Sequence, residues 1–540
     1  MLSRDVIHCD FAMTQAEFYD RIVACFGFTP TGDQQAAIAL FGRFLADRSP
    51  NVVMIMRGSA GTGKTSLASA MVDTMHRLGQ HLVLMAPTGR AAKVFAVNSH
   101  LPAATIHRTI YRERSAGVDS RFNLNFNRYK NTLFVVDEAS MIGGRSTADS
   151  NFGSGNLLDD LIRYVYGGDN CRMLLIGDQA QLPPVGEEEA PALSGSELMS
   201  HGLNVYECDL NEVVRQRSES GILYNATAVR RMAPSLDQQV AEAVLPKLRL
   251  RGFADVVRVP GNELVERLAT SYSRVGIDET IVVTRSNKRA NIYNQGIRAQ
   301  VLDCDDMLCG SDRVMVVKNK YLKPEPSAAG TVAPLPASTS TSTAYAAMQS
   351  AIAGKVKALQ DNMRMQTNAH QPANVRQLTF IANGDRCIIQ RVRHFREFYG
   401  FHFADATLRF PDYDDQELQT MVLLDTLSSE APSLTHDQQT KLFNNVMEDY
   451  QDLPLKADRL RAVRDDPYFN ALQIKFAYAV TCHKAQGGQW EHVYVDQGYM
   501  TDDMLTPDYF HWLYTAITRA RTCLFLVNWP PTQVEGGVED

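Results

Sequence analysis

The residues with the plainest chemical purpose are Gly58-Ser59-Ala60-Gly61-Thr62-Gly63-Lys64-Thr65, which fit G-x-x-x-x-G-K-[ST] at every defined position. Glycines in such a loop let backbone N–H groups turn toward a phosphate, and the helix that follows adds the positive end of its dipole. Lys64 is suited to reach the β- and γ-phosphates of a nucleoside triphosphate, and the Thr65 hydroxyl to hold Mg²⁺; Ser66 completes the expected ATP-binding stretch. A second apolar run, "LFVVDEASM" (133–141), ends in Asp137-Glu138. Asp137 can accept a Mg²⁺-bound water, and Glu138 can orient and deprotonate an attacking water. A helix N-cap also accounts for an acidic pair at a strand end, but a position downstream of a phosphate loop favours hydrolysis. In "LLIGDQAQLPPVG" (174–186) Gln179 is placed to contact the γ-phosphate or the attacking water, unless this is only a stiff Pro-Pro turn.

These side chains need a scaffold that brings several strand ends together. From 52 to about 200, the apolar runs "VVMIM", "LVLMAP", "LFVVDEAS" and "RMLLIGD" alternate with helical patterns, which predicts a parallel sheet with helices on both faces. A second set, "TIVVTRS", "FAYAVTCHKAQG", "HVYVDQ" and "CLFLVNW", predicts a second α/β core interrupted by a long insert, roughly 303–468. Inside the insert, 323–345 is rich in Pro, Ala, Ser and Thr and reads as a flexible linker. A smaller insert at 111–131, with alternation in "FNLNF", reads as a β-hairpin, and 143–156 as a glycine-rich surface loop.

Bulk properties narrow the classes. At 540 residues the chain needs several cores. Its formal net charge of −7 means that any nucleic-acid track must be local. Nine scattered cysteines without a C-x-x-C pair read as ordinary thiols, Cys304 and Cys309 included, and suit a reducing compartment. No apolar run approaches a membrane span and no secretory h-region opens the sequence, so the expectation is a cytoplasmic protein without a membrane partner.

Taken in order, the motifs resemble those of superfamily 1 helicases of the RecD/Dda type, the branch that moves 5′ to 3′ on single-stranded DNA. The resemblance adds "APTGRAAK" (86–93), "TIH" (105–107), "LNEVVRQ" (210–216), "YAVTCHKAQGGQW" (478–490) and "LYTAITRART" (513–522) to the phosphate loop, the acidic pair and the Pro-Pro loop. It implies two RecA-like P-loop cores: 1–205 for the first, 206–302 with 469–540 for the second, and 303–468 as an SH3-like β insert. It implies that Gln34, or Gln35 one register on, reads the adenine edge. It implies that Arg215 and Arg519 reach the γ-phosphate from the second core, making hydrolysis depend on closure of the cleft. Along the DNA it implies Pro87, Thr88, Thr105 and His107 in the first core and Thr481, His483 and Lys484 in the second, phosphate contacts that carry no sequence information. Either histidine, taken alone, also fits a satisfied core residue.

By the same resemblance the 111–131 hairpin corresponds to a pin that parts the duplex, with Phe122 or Phe126 as wedge, although alternating Phe also packs against a core. The function expected is an ATP-dependent DNA helicase acting as a monomer on single-stranded and forked or tailed DNA. The alternative is a DNA-stimulated translocase that displaces proteins without useful strand separation. An RNA substrate stays open, since no motif reads a 2′-hydroxyl. A small-molecule kinase does not explain the second core.

Overall fold

A computed structural model describes residues 13–113, 122–146, 152–212, 220–232, 245–322, 380–501 and 504–536. Arg215, the 323–345 stretch, residues 114–121 of the expected hairpin and residues 147–151 of the glycine-rich loop lie outside them.

The first sheet takes β1 (Val52–Gly58), β2 (His81–Ala86), β3 (Ala103–Thr105), β6 (Thr132–Val136), β7 (Arg172–Gly177) and β8 (Asn204–Leu210), all parallel, in the order β3-β2-β6-β7-β1-β8. Central strands such as β6, Thr-Leu-Phe-Val-Val, are buried at every position, as a strand covered on both faces must be. The sheet runs on past residue 205, because β8 pairs with β1 along its whole length. Helix Gly32–Ala46 starts in a capping box, Thr31 with Gln34, and sends Ala37, Ile38, Phe41 and Phe44 into the core beneath β1. Between β3 and β6, β4 (Tyr111–Glu113) and β5 (Phe122–Leu124) form a short antiparallel ribbon.

The second parallel sheet begins with β9 (Val256–Val259) and β10 (Thr280–Thr284). The chain then leaves for a closed barrel of β11 (Arg313–Val316), β14 (Arg386–Phe398), β15 (Phe401–Phe410), β16 (Gln416–Leu423) and β17 (Leu472–Phe476). Two bulges bend β14 against β15, which lets so long a strand follow the barrel wall. Helices His436–Glu448 and Lys456–Asp465 come between β16 and β17 and cover a satellite core around Phe401, Phe403, Leu442 and Val463. The closing strand β17 falls beyond residue 468, where the insert was expected to end. Residues Lys320–Ile381 cluster as a unit of their own, described only through the antiparallel pair β12 (Lys320–Tyr321) and β13 (Phe380–Ile381). The chain returns through β18 (Ala479–Thr481), β19 (Trp490–Asp496) and β20 (Ala520–Val527) to complete a sheet ordered β18-β10-β19-β20-β9.

Cys304 and Cys309 are not separate thiols as expected: they form a disulfide. The turn that joins them is held by Asp312, which accepts the Cys309 N–H at 2.8 Å and pairs with Arg298 at 3.1 Å. The two cysteines are only five residues apart, a spacing that matches no C-x-x-C pattern.

Candidate nucleotide-binding cleft

Strand β1 hands its C-terminal end to the loop at 58–63, which helix Lys64–Arg77 closes. Gly61 and Gly63 have φ of 80° and 75°, the left-handed region in which a side chain is strained. The Thr62 hydroxyl ties the loop by donating to the Ser59 carbonyl at 2.8 Å, and Lys64 Nζ donates to the Gly58 carbonyl at 3.1 Å. Ser59, Ala60, Gly61, Gly63, Lys64, Thr65 and Ser66 line a cleft of about 980 Å³. Gly58 and Thr62 sit behind that lining, as the loop's structural supports.

The neighbouring strand ends bring acids to the same cleft. Asp137, at the end of β6, is buried; desolvation first, then the charge of Glu138, push its carboxyl up to about 6, with Lys64 opposing. Glu138 stands at φ 54°, unusual for a side-chain-bearing residue, and its Oε2 is buried without a hydrogen-bond partner. Strain combined with an orphaned oxygen is a common mark of a group arranged for a ligand. A buried carboxylate and the Thr65 hydroxyl beside a phosphate loop form a donor set of hard oxygens, which fits Mg²⁺.

The loop after β7 corrects one expectation. Gln179 is exposed and outside the cleft, whereas Gln181 is 5% exposed, lines it, and has an Oε1 without a partner. Asp178 sets this turn: its Oδ1 accepts the Ala180 N–H at 3.1 Å and its carbonyl the Gln181 N–H at 3.1 Å. The chain therefore doubles back before Gln181, and the side chain two residues after the expected one faces inward.

Gln34 does not line the cleft either. Its amide is spent on structure, donating to the Thr62 carbonyl at 2.8 Å and accepting the Thr31 N–H at 3.0 Å. It braces the phosphate loop from behind. Gln35 is exposed and donates to the Pro30 carbonyl at 3.0 Å. Phe26, Phe28 and Thr29 line this end of the cleft instead.

From the second sheet, Arg519 lines the cleft at 3% exposure. All its acceptors are neutral: the Thr515 carbonyl at 3.0 Å, the Gly488 carbonyl at 3.1 Å and the Thr518 hydroxyl at 3.2 Å. No described carboxylate pairs with it, so its charge is held rigid and uncompensated. Helix Pro507–Ile517 also crosses to the first core. The Tyr514 hydroxyl accepts the Ala60 N–H of the phosphate loop at 2.9 Å and donates to Asp178 at 2.5 Å, while the Thr515 hydroxyl accepts the Leu182 N–H at 2.8 Å. Gln486 adds a bond to the Leu182 carbonyl at 2.7 Å. None of these bridging roles was expected for Asp178, Gln486, Tyr514 or Thr515. Their only sequence signal was membership of the motifs.

The expected DNA contacts collect at strand ends. Pro87 and Thr88 follow β2, Thr105 ends β3, and Thr481 ends β18 just before His483 and Lys484. Thr88 and Thr105 each cap a helix, accepting the Ala91 N–H at 3.2 Å and the Arg108 N–H at 3.3 Å. His107 packs edge-on to Phe152 at 5.0 Å, and burial lowers its imidazole to about 4, so it is neutral near pH 7. Burial also lowers His483, and it brings Lys484 down to about 8 with Lys475 adding to the effect. Phe122 is corrected as a wedge: it is buried and stacks on Phe152 at 4.7 Å. Phe126 is 71% exposed, carries Arg112 5.1 Å above its ring, and borders a hollow of about 600 Å³ with Arg108, Arg128 and Tyr129.

Comparison with known proteins agrees with this geometry. An AAA domain family model matches residues 32–244, and a UvrD-like helicase C-terminal domain model matches 476–527. The ATP-dependent RecD2 DNA helicase of Deinococcus radiodurans is 29% identical over 174 residues, covering 32% of this chain and 21% of that protein. The ATP-dependent DNA helicase dda of Enterobacteria phage T4 is 26% identical over 293 residues, covering 53% of this chain and 60% of its own. The chain thus spans less than two thirds of either curated relative. A solved Pif1 helicase from Bacteroides, in complex with ADP-AlF3 and ssDNA, superposes at a TM-score of 0.42 with 13% identity over 95% of each chain. With an AAA domain model matching around the phosphate loop and a UvrD-like helicase C-terminal domain model around Arg519, the chain is similar to the superfamily 1 helicases of the RecD/Dda type.

Proposed function

We propose that this chain is an ATP-dependent DNA helicase that moves 5′ to 3′ along single-stranded DNA and separates duplex. The observation that carries the proposal is the shared cleft, with the phosphate loop, Asp137 and Glu138 on one wall and an uncompensated Arg519 on the other. In this reading the first RecA-like core is 1–205, extended by β8, and the second is 206–302 with 469–540. The barrel is the SH3-like insert, and the β4–β5 ribbon belongs to the pin. The chain acts as a monomer on single-stranded, forked or tailed DNA.

Thr65 and Asp137 would hold Mg²⁺, which when bound supplies charge neutralisation at the phosphates. Lys64 leaves the Gly58 carbonyl for the phosphates, and the loop N–H groups cradle them. Glu138 accepts a proton from the attacking water, and Gln181 orients that water in the role first assigned to Gln179. Arg519, with Arg215 as its expected companion, meets the charge that develops on the γ-phosphate. Because Arg519 and the phosphate loop belong to different sheets, each hydrolysis cycle is tied to closing and opening of the cleft. Pro87, Thr88, Thr105, Thr481, His483 and Lys484 follow the strand, and Phe126 supplies the exposed ring at the fork.

The buried position of Phe122 lends weight to one second reading, a DNA-stimulated translocase without effective strand separation. The deciding experiment is steady-state ATP hydrolysis with and without single-stranded DNA, with RNA of equal length as control and Lys64→Ala as the inactive variant. DNA stimulation that Lys64→Ala abolishes supports the motor, and no stimulation by either polymer overturns it. Forks with 5′ or 3′ tails then separate helicase from translocase and fix the direction.

A further inference from the structure

The cleft does not stop at the phosphate loop. It continues past Arg519 to the base of the barrel, where Arg90 and Arg386 face one indole. Their guanidinium carbons lie 4.3 and 5.8 Å from the centre of the Trp490 ring. The other charges at this end are already matched. Asp278 holds Arg313 at 2.9 Å, Glu279 and Glu491 hold Arg521 at 2.5 and 3.1 Å, and Asp412 lies 3.7 Å from Lys93. Arg90 and Arg386 have no carboxylate partner among the described residues. Arg90 gives one N–H to the Gln489 carbonyl at 2.8 Å, while its Nε is buried and unbonded. Burial first, and then the opposing Arg386, bring Arg90 down to about 10; burial also lowers Arg386, against the pull of Asp278 and Asp412.

We propose that Arg90 and Arg386 form a binding site for inorganic phosphate at the far end of the cleft, a holding place for the phosphate that hydrolysis releases. The second half of that statement rests on the proposed ATPase; the site itself does not. In the proposed site a tetrahedral anion would accept from both guanidinium groups and offset the charge repulsion by which Arg386 lowers Arg90. The continuous cleft supplies the route from the phosphate loop. A small ion fits better than a polymer because the barrel closes this end against helix Gly89–Ser99: Lys93 donates to the Pro411 carbonyl, and a Cβ at Gly89 would lie 2.2 Å from Asp385 Oδ1.

Equilibrium dialysis of radiolabelled inorganic phosphate against the full chain, with ADP saturating the phosphate loop, tests the site. Wild type is expected to bind one phosphate and to show a change in Trp490 emission. Arg90→Gln and Arg386→Gln are each expected to weaken binding roughly tenfold or more, while Arg386→Lys retains part of it. No binding by wild type up to millimolar phosphate, or unchanged binding in Arg90→Gln, overturns the proposal. So does stoichiometric displacement of phosphate by single-stranded DNA, which would give the site to the nucleic-acid backbone. If circular dichroism shows that Arg386→Gln does not fold, Arg90→Gln and Arg386→Lys carry the test on the same criteria. Dialysis needs no turnover, so an inactive ATPase leaves a positive phosphate result standing, and absent phosphate binding leaves the motor standing.

Discussion

Replacing Asp385 by Asn should flatten the pH dependence of barrel stability. Asp385 precedes β14 and is buried, with one carboxyl oxygen accepting the Ala382 N–H at 2.7 Å and the Tyr413 hydroxyl at 2.6 Å. The other oxygen, Oδ1, is buried without a partner. Burial is the main reason the group is raised from 3.8 to about 7; the Tyr413 and Ala382 bonds oppose it, and Asp412 adds a little. A shift of that size corresponds to about 4 kcal/mol. The group binds its proton more tightly folded than unfolded. Its stabilising contribution is therefore complete below the unfolded value near 4 and is lost as pH rises to about 7. Asn keeps the shape: its amide oxygen can accept the same two bonds, while its NH₂ occupies the place of the unbonded oxygen and never ionises. Amide hydrogen exchange of β14, compared between wild type and Asp385→Asn at each pH from 4.5 to 8, isolates the effect. Wild-type protection should fall relative to the variant by about 3 kcal/mol across that window. Parallel profiles for the two proteins would refute the reasoning.

Three further substitutions address the cleft. Tyr514→Phe leaves Asp178 and the Ala60 N–H without their shared partner, at a cost of roughly 1–3 kcal/mol. It should lower the ratio of DNA-stimulated to basal ATP hydrolysis by about tenfold, and a ratio within twofold of wild type would contradict the bridge between the cores. Gln181→Ala should lower kcat on the order of 100-fold, as loss of a positioned polar contact does, whereas Gln179→Ala should stay near wild type. The reverse ranking in steady-state assays would restore the role to Gln179.

What the sequence disclosed depended on whether function was carried by consecutive residues. The phosphate loop was legible because strand, glycines, Lys64 and Thr65 follow one another, and two left-handed glycines permit only a few conformations. Asp137 and Glu138 were legible because an apolar run ending in acids places both at a strand tip. Gln179 faces away from the cleft because the inward direction is set by an Asp178-centred turn, which brings Gln181 in its place. Gln34 fits the position of an adenine reader in the linear pattern, yet its amide is drawn to Thr62 and Thr31, contacts between segments 28 residues apart or inside one cap. The barrel was partly visible as short strand-like runs, but the closing strand β17 and the two helices before it were not. Barrel closure pairs β11 with β17 across more than 150 residues, and no local pattern announces it.

The contacts that sequence could not show are also those that bear on coupling. Tyr514 and Arg519 lie on one turn and a half of the same segment, and they do opposite things at the cleft. Arg519 has its charge held only by neutral carbonyl and hydroxyl groups, so it gains from any developing negative charge opposite it. Tyr514 is already bonded to the phosphate-loop backbone and to Asp178, whose turn aims Gln181. A movement of helix Pro507–Ile517 that brings Arg519 closer must also pull on the Ala60 N–H and on the turn carrying Gln181. In the proposed motor, an approach of the second core would therefore alter the Ala60 N–H, Asp178 and the turn carrying Gln181 together, which would favour an all-or-none closure over a graded one. A strand held at Thr481, His483 and Lys484 would act on the same unit, because Gln486, two residues beyond Lys484, bonds the Leu182 carbonyl in that very loop.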